Sequence, residues 1–211
     1  MPLYKTIEAN SSTRILIWKI TESKEELYNK VRLNERSERR LTGMKSEMHQ
    51  RAFLSVRMLL LETGHDDFDL YYDEFGKPHL KGVNHISITH SYQFSAIIIS
   101  DQTVGIDMEL QRDKIITIAH KFINDAELKR IKNISKEDYI KKLTIKWGAK
   151  EAIFKIRNEA GISFKDHIRV STFELVEKQT LAHLHFGGLI RDFRIHFEEI
   201  ENFILVYAFK K

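Results

Sequence analysis

The sequence predicts an α/β protein of the α+β kind, laid out as two similar α/β halves, 1–102 and 103–211. Two long segments, Lys45 to Glu62 and Lys136 to Asn158, carry helical patterns. Short alternating or wholly apolar stretches of β character surround each of them. The order of strand, long helix and further strands runs through the chain twice, with little sequence similarity between the two passes. At 211 residues, 42% of them hydrophobic, the chain is long enough to bury a sizeable core.

The elements follow in order. Arg14 to Ile20 reads as a strand and Glu22 to Arg32 as a helix. Within Lys45 to Glu62, Met48, Ala52, Val56, Leu59 and Leu60 form an apolar stripe, Thr63-Gly64 is a stop signal, and Arg51 and Arg57 are expected to reach outward. His85 to Thr89 alternates as a strand. Ser95 to Ser100 is apolar, and across the polar break Asp101-Gln102-Thr103 the segment Val104 to Leu110 reads as the second strand of a β-hairpin. Two helices are expected next: Asn124 to Lys132, where Asn124 and Glu127 have capping-box spacing, and Lys136 to Asn158, with Ser135 as N-cap. After Gly161 the pattern turns β. Ala182, Leu184 and Phe186 alternate, as do Phe193, Ile195 and Phe197; Gly187-Gly188 is a turn, and Phe203 to Phe209 is a buried apolar run.

Composition bounds the function. Thirty-four Lys and Arg against thirty Asp and Glu leave a net +4, which suits an anionic cofactor or an acidic protein partner and is too small to demand nucleic acid. With no cysteine there is no disulfide framework and no thiol nucleophile, and no His or Cys set has zinc-site spacing. No apolar stretch is long enough to span a bilayer and Met1-Pro2-Leu3-Tyr4 opens no signal peptide, so a cytoplasmic location with no membrane association is expected.

Two acidic clusters carry the chemistry. In Val104-Gly105-Ile106-Asp107-Met108-Glu109, strand periodicity aims Asp107 and Glu109 to one face and Ile106 and Met108 to the other. In Trp147-Gly148-Ala149-Lys150-Glu151-Ala152-Ile153-Phe154-Lys155, helical periodicity sets Glu151 and Lys155 one turn apart on a single face. Taken alone, such a Glu–Lys pair is ordinary helix surface, contributing about 0.2–0.5 kcal/mol. Taken together, the clusters offer three carboxylates and a cation. Mg2+ binds through a few carboxylates, several waters and substrate phosphates, and Lys155 adds positive charge where phosphates would sit.

Four motifs in order, Gly76-Lys77-Pro78, Ser87-Ile88-Thr89-His90-Ser91, Gly105-Ile106-Asp107-Met108-Glu109 and Trp147 to Lys155, span roughly residues 36 to 155. In them the chain resembles the 4′-phosphopantetheinyl transferase superfamily, of the long single-chain Sfp-like type. The resemblance implies two α/β halves related by a pseudo-twofold axis with the active site in the cleft between them, and a monomer with that internal pseudosymmetry. It implies Mg2+-dependent transfer of the 4′-phosphopantetheine arm of coenzyme A to a serine hydroxyl of an apo acyl- or peptidyl-carrier protein, with release of adenosine 3′,5′-bisphosphate, as in a holo-acyl-carrier-protein synthase.

The same resemblance assigns residues. Asp107, Glu109 and Glu151 would ligate the metal, and Glu151 or a metal-bound water would help deprotonate the serine; apart from the resemblance, Glu127 is the reserve base, with helix capping as its equal alternative. Lys155 would hold the pyrophosphate. Thr89 and His90 fall on the segment that meets coenzyme A phosphate, Lys77 and Pro78 border the nucleotide, and Arg51 faces its 3′-phosphate side. Arg36 and Arg39 lie in a stretch where the alignment is loose. The chain departs from the family in having Gly148 where a hydroxyl residue is usual and Phe122-Ile123-Asn124 where Phe-Phe-Ser is usual; neither change removes a proposed ligand.

The nucleophile is a weak one. A serine hydroxyl needs a positioned base, worth about 10²- to 10⁴-fold, while attack on a pyrophosphate depends on positioning and on neutralising phosphoryl charge. Two other functions share these residues. One is a coenzyme A- or carrier-binding homologue without transfer. The other is a metal-dependent nuclease, whose Glu-x-Lys pattern on a strand differs from the four-residue spacing of Glu151 and Lys155 on a helix.

Overall fold

The computed structural model describes residues 3–83, 85–131 and 134–211. Two compact units emerge, Met1–Gln102 and Thr103–Lys211.

The N-terminal unit begins with β1 (Leu3–Asn10) and β2 (Thr13–Lys19), followed by α1 (Lys24–Tyr28), α2 (Glu35–Gly43) and α3 (Glu47–Leu61). The short hairpin β3 (Leu70–Tyr72) and β4 (Pro78–Leu80) precedes β5 (His85–Ser91) and β6 (Phe94–Ser100). The helix expected over Glu22 to Arg32 is shorter at both ends. A capping box between Ser23 and Glu26 starts it at Lys24, and Asn29 closes it. One four-stranded antiparallel sheet has the order β1-β2-β6-β5. Against β2 and β6 packs α3, burying Leu54, Leu59 and Leu60 with Leu16, Trp18 and Ile97. Each such side chain contributes about 1.5–3 kcal/mol when withdrawn from water. Arg57 turns inward, contrary to the expectation that it reaches outward. Its Nε donates to Asp67 at 2.8 Å, both side chains are buried, and Ser37 shares Asp67, so α2 is tied to α3 through this pair.

The expected hairpin of Ser95–Ser100 with Val104–Leu110 does not form. Both hydrogen-bonding edges of β6 are already occupied, by β2 on one side and β5 on the other. The hairpin partner of β6 is β5, and the break at 101–103 is instead the boundary between units.

The C-terminal unit comprises β7 (Val104–Leu110), α4 (Lys114–Ile118), α5 (Asp125–Lys129), α6 (Lys136–Arg157), α7 (Phe164–His167), β8 (Ile168–Val170), β9 (Gln179–Phe186), β10 (Leu189–Ile200) and β11 (Phe203–Lys210). Its sheet is fully antiparallel in the order β7-β11-β10-β9-β8. Gly187 and Gly188 turn β9 into β10 with positive φ, which costs glycine little. Ser135 caps α6 by accepting from the Asp138 N–H. The helix expected over Asn124 to Lys132 runs only to Lys129; Lys132, like Met1 and Pro2, lies outside the described residues.

The packing of α6 on this sheet sets up the site. Ile145, Ala149, Ala152, Ile153 and Ile156 rest on Ile204, Val206 and Ala208 of β11 and on Phe193 and Ile195 of β10. Two glycines allow the approach. A Cβ at Gly105 would lie 2.1 Å from the Ala152 carbonyl oxygen, and one at Gly148 would lie 2.8 Å from Val206 Cγ2. Helix and strand backbones are therefore in van der Waals contact at Gly105 and Ala152. Among the described residues no helix is long and apolar enough to cross a membrane.

Candidate active site

Strand periodicity places Gly105, Asp107 and Glu109 on the face of β7 that α6 covers. Asp107 is accordingly 5% exposed. That face is not open to solvent: the strand is an edge strand by hydrogen bonding, yet α6 lies over it.

From α6, three side chains reach the acidic pair. Lys155 Nζ donates to Asp107 Oδ1 and to the Ile106 carbonyl, both at 2.8 Å. Its partner is therefore Asp107 of β7 and not Glu151, the neighbour one turn away that helical spacing suggests. Trp147 Nε1 donates to Glu109 Oε1 at 2.9 Å. Glu151 is near enough to both Asp107 and Glu109 to be repelled by each.

That crowding raises the carboxyls of the group. Burial first, then the negative charge of Asp107, pushes Glu151 up to about 7; the Lys155 ammonium opposes the rise and Glu109 adds to it. Burial and Asp107 likewise push Glu109 up to about 7, against the Trp147 hydrogen bond and the charges of Lys155 and Arg112. Three carboxylates confined beside one lysine carry more negative charge than the site neutralises, and protons are taken up to relieve it.

A divalent cation fits this set by its donor chemistry. All three groups offer anionic oxygen, the ligand type of Mg2+, and their mutual repulsion is what a dication would remove. Among the described residues no group of three His, Cys, Asp or Glu side chains is arranged to hold a metal ion by itself. Mg2+ does not require one, because it retains several waters and takes substrate phosphates as ligands.

Glu127 stands apart from this cluster. Its Oε1 accepts from Lys146 Nζ at 3.2 Å and from the Val170 N–H at 3.2 Å, and its Oε2 accepts from Lys150 Nζ at 3.1 Å. Lys150 is 0% exposed and also donates to the carbonyls of Phe122, Phe164 and Ile168. Burial lowers the Lys150 ammonium to about 8, despite Glu127, with Lys146 and Arg169 lowering it further. Both carboxylate oxygens of Glu127 are thus committed to tying α5 and the end of β8 onto α6. Sequence reading missed this network. Lys146 and Lys150 lie four residues apart, which resembles a solvated helix face, and their counter-ion, Glu127, lies in another element.

The remaining expected residues lie in the N-terminal unit. Thr89 is buried on β5 opposite Ala96, and His90 is exposed opposite Ser95. The His90 ring lies 6.3 Å from that of His49 on α3. Arg51, on the same helix, donates Nη2 to the Ile20 carbonyl at 3.3 Å. Lys77 closes the β3–β4 turn, its N–H donating to Asp73 Oδ1 at 2.9 Å, and Pro78 begins β4. The Lys77 charge acts on His85, whose imidazole burial already holds below its usual range. His85 and His90 sit at opposite ends of β5, about 17 Å apart at strand rise. The structure therefore gathers His90 and Arg51 around α3 and β5, and sets Lys77 and Pro78 toward the other end of β5.

A family model described as the 4′-phosphopantetheinyl transferase superfamily matches residues 103–208, half of the chain and nearly all of the unit that carries the acidic cluster. The chain belongs to that superfamily. A search of curated proteins found no match.

Proposed function

We propose that this protein transfers the 4′-phosphopantetheine arm of coenzyme A to a serine hydroxyl of an apo carrier protein, in a Mg2+-dependent reaction that releases adenosine 3′,5′-bisphosphate. Membership of the superfamily supports phosphopantetheine transfer in general. The observation that carries the finer reading is the set of Asp107, Glu109 and Glu151 crowded beside Lys155, with Glu109 and Glu151 both raised to about 7.

In this reading Asp107, Glu109 and Glu151 hold the cation. When bound, the cation neutralises phosphoryl charge and fixes the diphosphate against the nucleophile. Lys155 supplies a second positive charge to the diphosphate, leaving its contact with Asp107 as that carboxylate's charge is taken up. Glu151 is the base for the serine proton. As a carboxylate beside the diphosphate it can accept the serine proton, and it stands on a helix pinned by the Gly105–Ala152 contact. Glu127 is not chosen as base, because both its oxygens are held by lysines and a backbone N–H. In the N-terminal unit, Arg51, Lys77, Pro78, Thr89 and His90 serve coenzyme A, with cations and hydroxyl donors for its phosphates. We place the chain with the long single-chain Sfp-like type, acting as a monomer, on the strength of its two units within one chain.

Mass spectrometry of a panel of apo carrier proteins incubated with coenzyme A, Mg2+ and the protein tests this. The transferase reading requires a covalent gain of one phosphopantetheine arm on the carrier serine, abolished by chelation. No gain with fatty-acid, polyketide and peptide carriers, alongside retained coenzyme A binding, would assign the chain to binding without transfer.

A further inference from the structure

Trp147 is on the same face of α6 as Glu151, and its ring is fixed by packing. Phe122 meets it edge-on with ring centroids 5.0 Å apart, and Phe164 lies against it at 5.6 Å. An indole has one donor and no acceptor. Here that donor is spent on Glu109 Oε1 at 2.9 Å. The aromatic clamp fixes the direction of the N–H, and the N–H fixes one oxygen of a carboxylate whose charge is felt by Glu151 and which in turn feels that of Asp107.

We propose that Trp147 is a positioning residue for cation binding: it holds Glu109 by one carboxylate oxygen so that the other is presented to a divalent cation, and thereby sets the affinity of the site without touching substrate. This rests on the reading of Asp107, Glu109 and Glu151 as the cation's ligands. The physical basis is general. Ligating carboxylates are oriented by hydrogen bonds from an outer layer, and removing such a partner costs about 10- to 100-fold in metal affinity. The bland alternative, that the bond merely satisfies a half-buried indole, predicts no effect on the cation.

Trp147→Phe tests it, because an aromatic ring is kept between Phe122 and Phe164 while the N–H is lost. Isothermal titration of the full chain with Mg2+, and with Mn2+ as a spectroscopic substitute, is expected to show affinity weakened about 10- to 100-fold in the variant, with little change in metal-free melting temperature. In a Glu109→Ala background the same substitution should have no further effect on affinity, since the group it orients is gone. A variant-free readout exists as well. The chain has two tryptophans, and Trp18 is buried in the N-terminal unit. Cation titration of the unaltered protein should therefore change tryptophan emission with the midpoint found by calorimetry. Equal affinity in the unaltered protein and Trp147→Phe would overturn the proposal while leaving the cation site standing. Binding without any change in emission would also overturn it. Failure of the unaltered protein to bind either cation, both alone and with coenzyme A present, would remove the cation site and the proposal together.

Discussion

Replacing Gly105 by alanine adds one methyl group at the point where β7 meets α6. That carbon would sit 2.1 Å from the Ala152 carbonyl oxygen, 2.9 Å from its carbon and 3.1 Å from Ile156 Cγ1. The obstacle is backbone inside a 22-residue helix, so no rotamer change relieves it. Ordinary contact requires a retreat of about 1 Å between strand and helix. Overpacking of this kind costs about 1–3 kcal/mol, and a rigid backbone obstacle puts it at the upper end. For a chain of this size, about 3 kcal/mol lowers the melting temperature by about 6–12 °C. The same displacement separates Glu151 of α6 from Asp107 of β7, and a 1 Å misplacement of reacting groups costs about 10²-fold in rate. Thermal melting and carrier modification followed by mass spectrometry read the two effects. Gly43→Ala is the control: nothing lies within 4 Å of the added carbon, so stability should hold or rise by a few tenths of a kcal/mol. A Gly105→Ala protein with unaltered melting temperature and turnover would refute the claim that this contact sets the site.

Other outcomes follow from the same structure. Asp107→Asn should lose Mg2+-dependent turnover while keeping the fold, as judged by circular dichroism; retained turnover would remove Asp107 from the cation's ligands. Glu127→Ala should destabilise by about 3–5 kcal/mol, because the buried ammoniums of Lys146 and Lys150 lose their counter-charge, and denaturant melts measure it. The raised carboxyls of Glu109 and Glu151 make stability pH-dependent with a definite sign. Their folded pKa of about 7 exceeds the reference value of 4.5, so the stability they confer is full below 4.5 and is lost as pH rises through 7. A bound cation replaces the lost protons, so the rise in melting temperature on adding Mg2+ should be larger at about pH 8 than at about pH 6. An equal rise at both would contradict it.

Periodicity disclosed the two long helices, the Ser135 cap and the strands after residue 179, because each is specified by its own residues. The spacing of Asp107 with Glu109 likewise predicted which side chains share a face. What stayed hidden depends on partners far along the chain. The pairing of β7 with β11 rather than with β6 could not be read from the short break at 101–103, which looks like a hairpin turn and is a boundary between units. Lys155 looked like the partner of Glu151 at four-residue spacing, yet it reaches across to β7. β1 alternates half-buried and exposed residues along its length, but its polar composition, Lys5, Glu8 and Asn10 among it, masked a strand. The roles of Gly105 and Trp147 appear only once α6 is laid on the sheet.

The central claim is that Asp107, Glu109 and Glu151 grip one divalent ion against the diphosphate of coenzyme A. A crystal structure of the protein with coenzyme A and Mg2+ addresses it most directly. The account predicts a single Mg2+ coordinated by oxygens of all three residues and by diphosphate oxygen, with Lys155 moved from Asp107 toward the phosphates. A cation seated elsewhere, or these carboxylates bound to separate partners with coenzyme A in place, would contradict it.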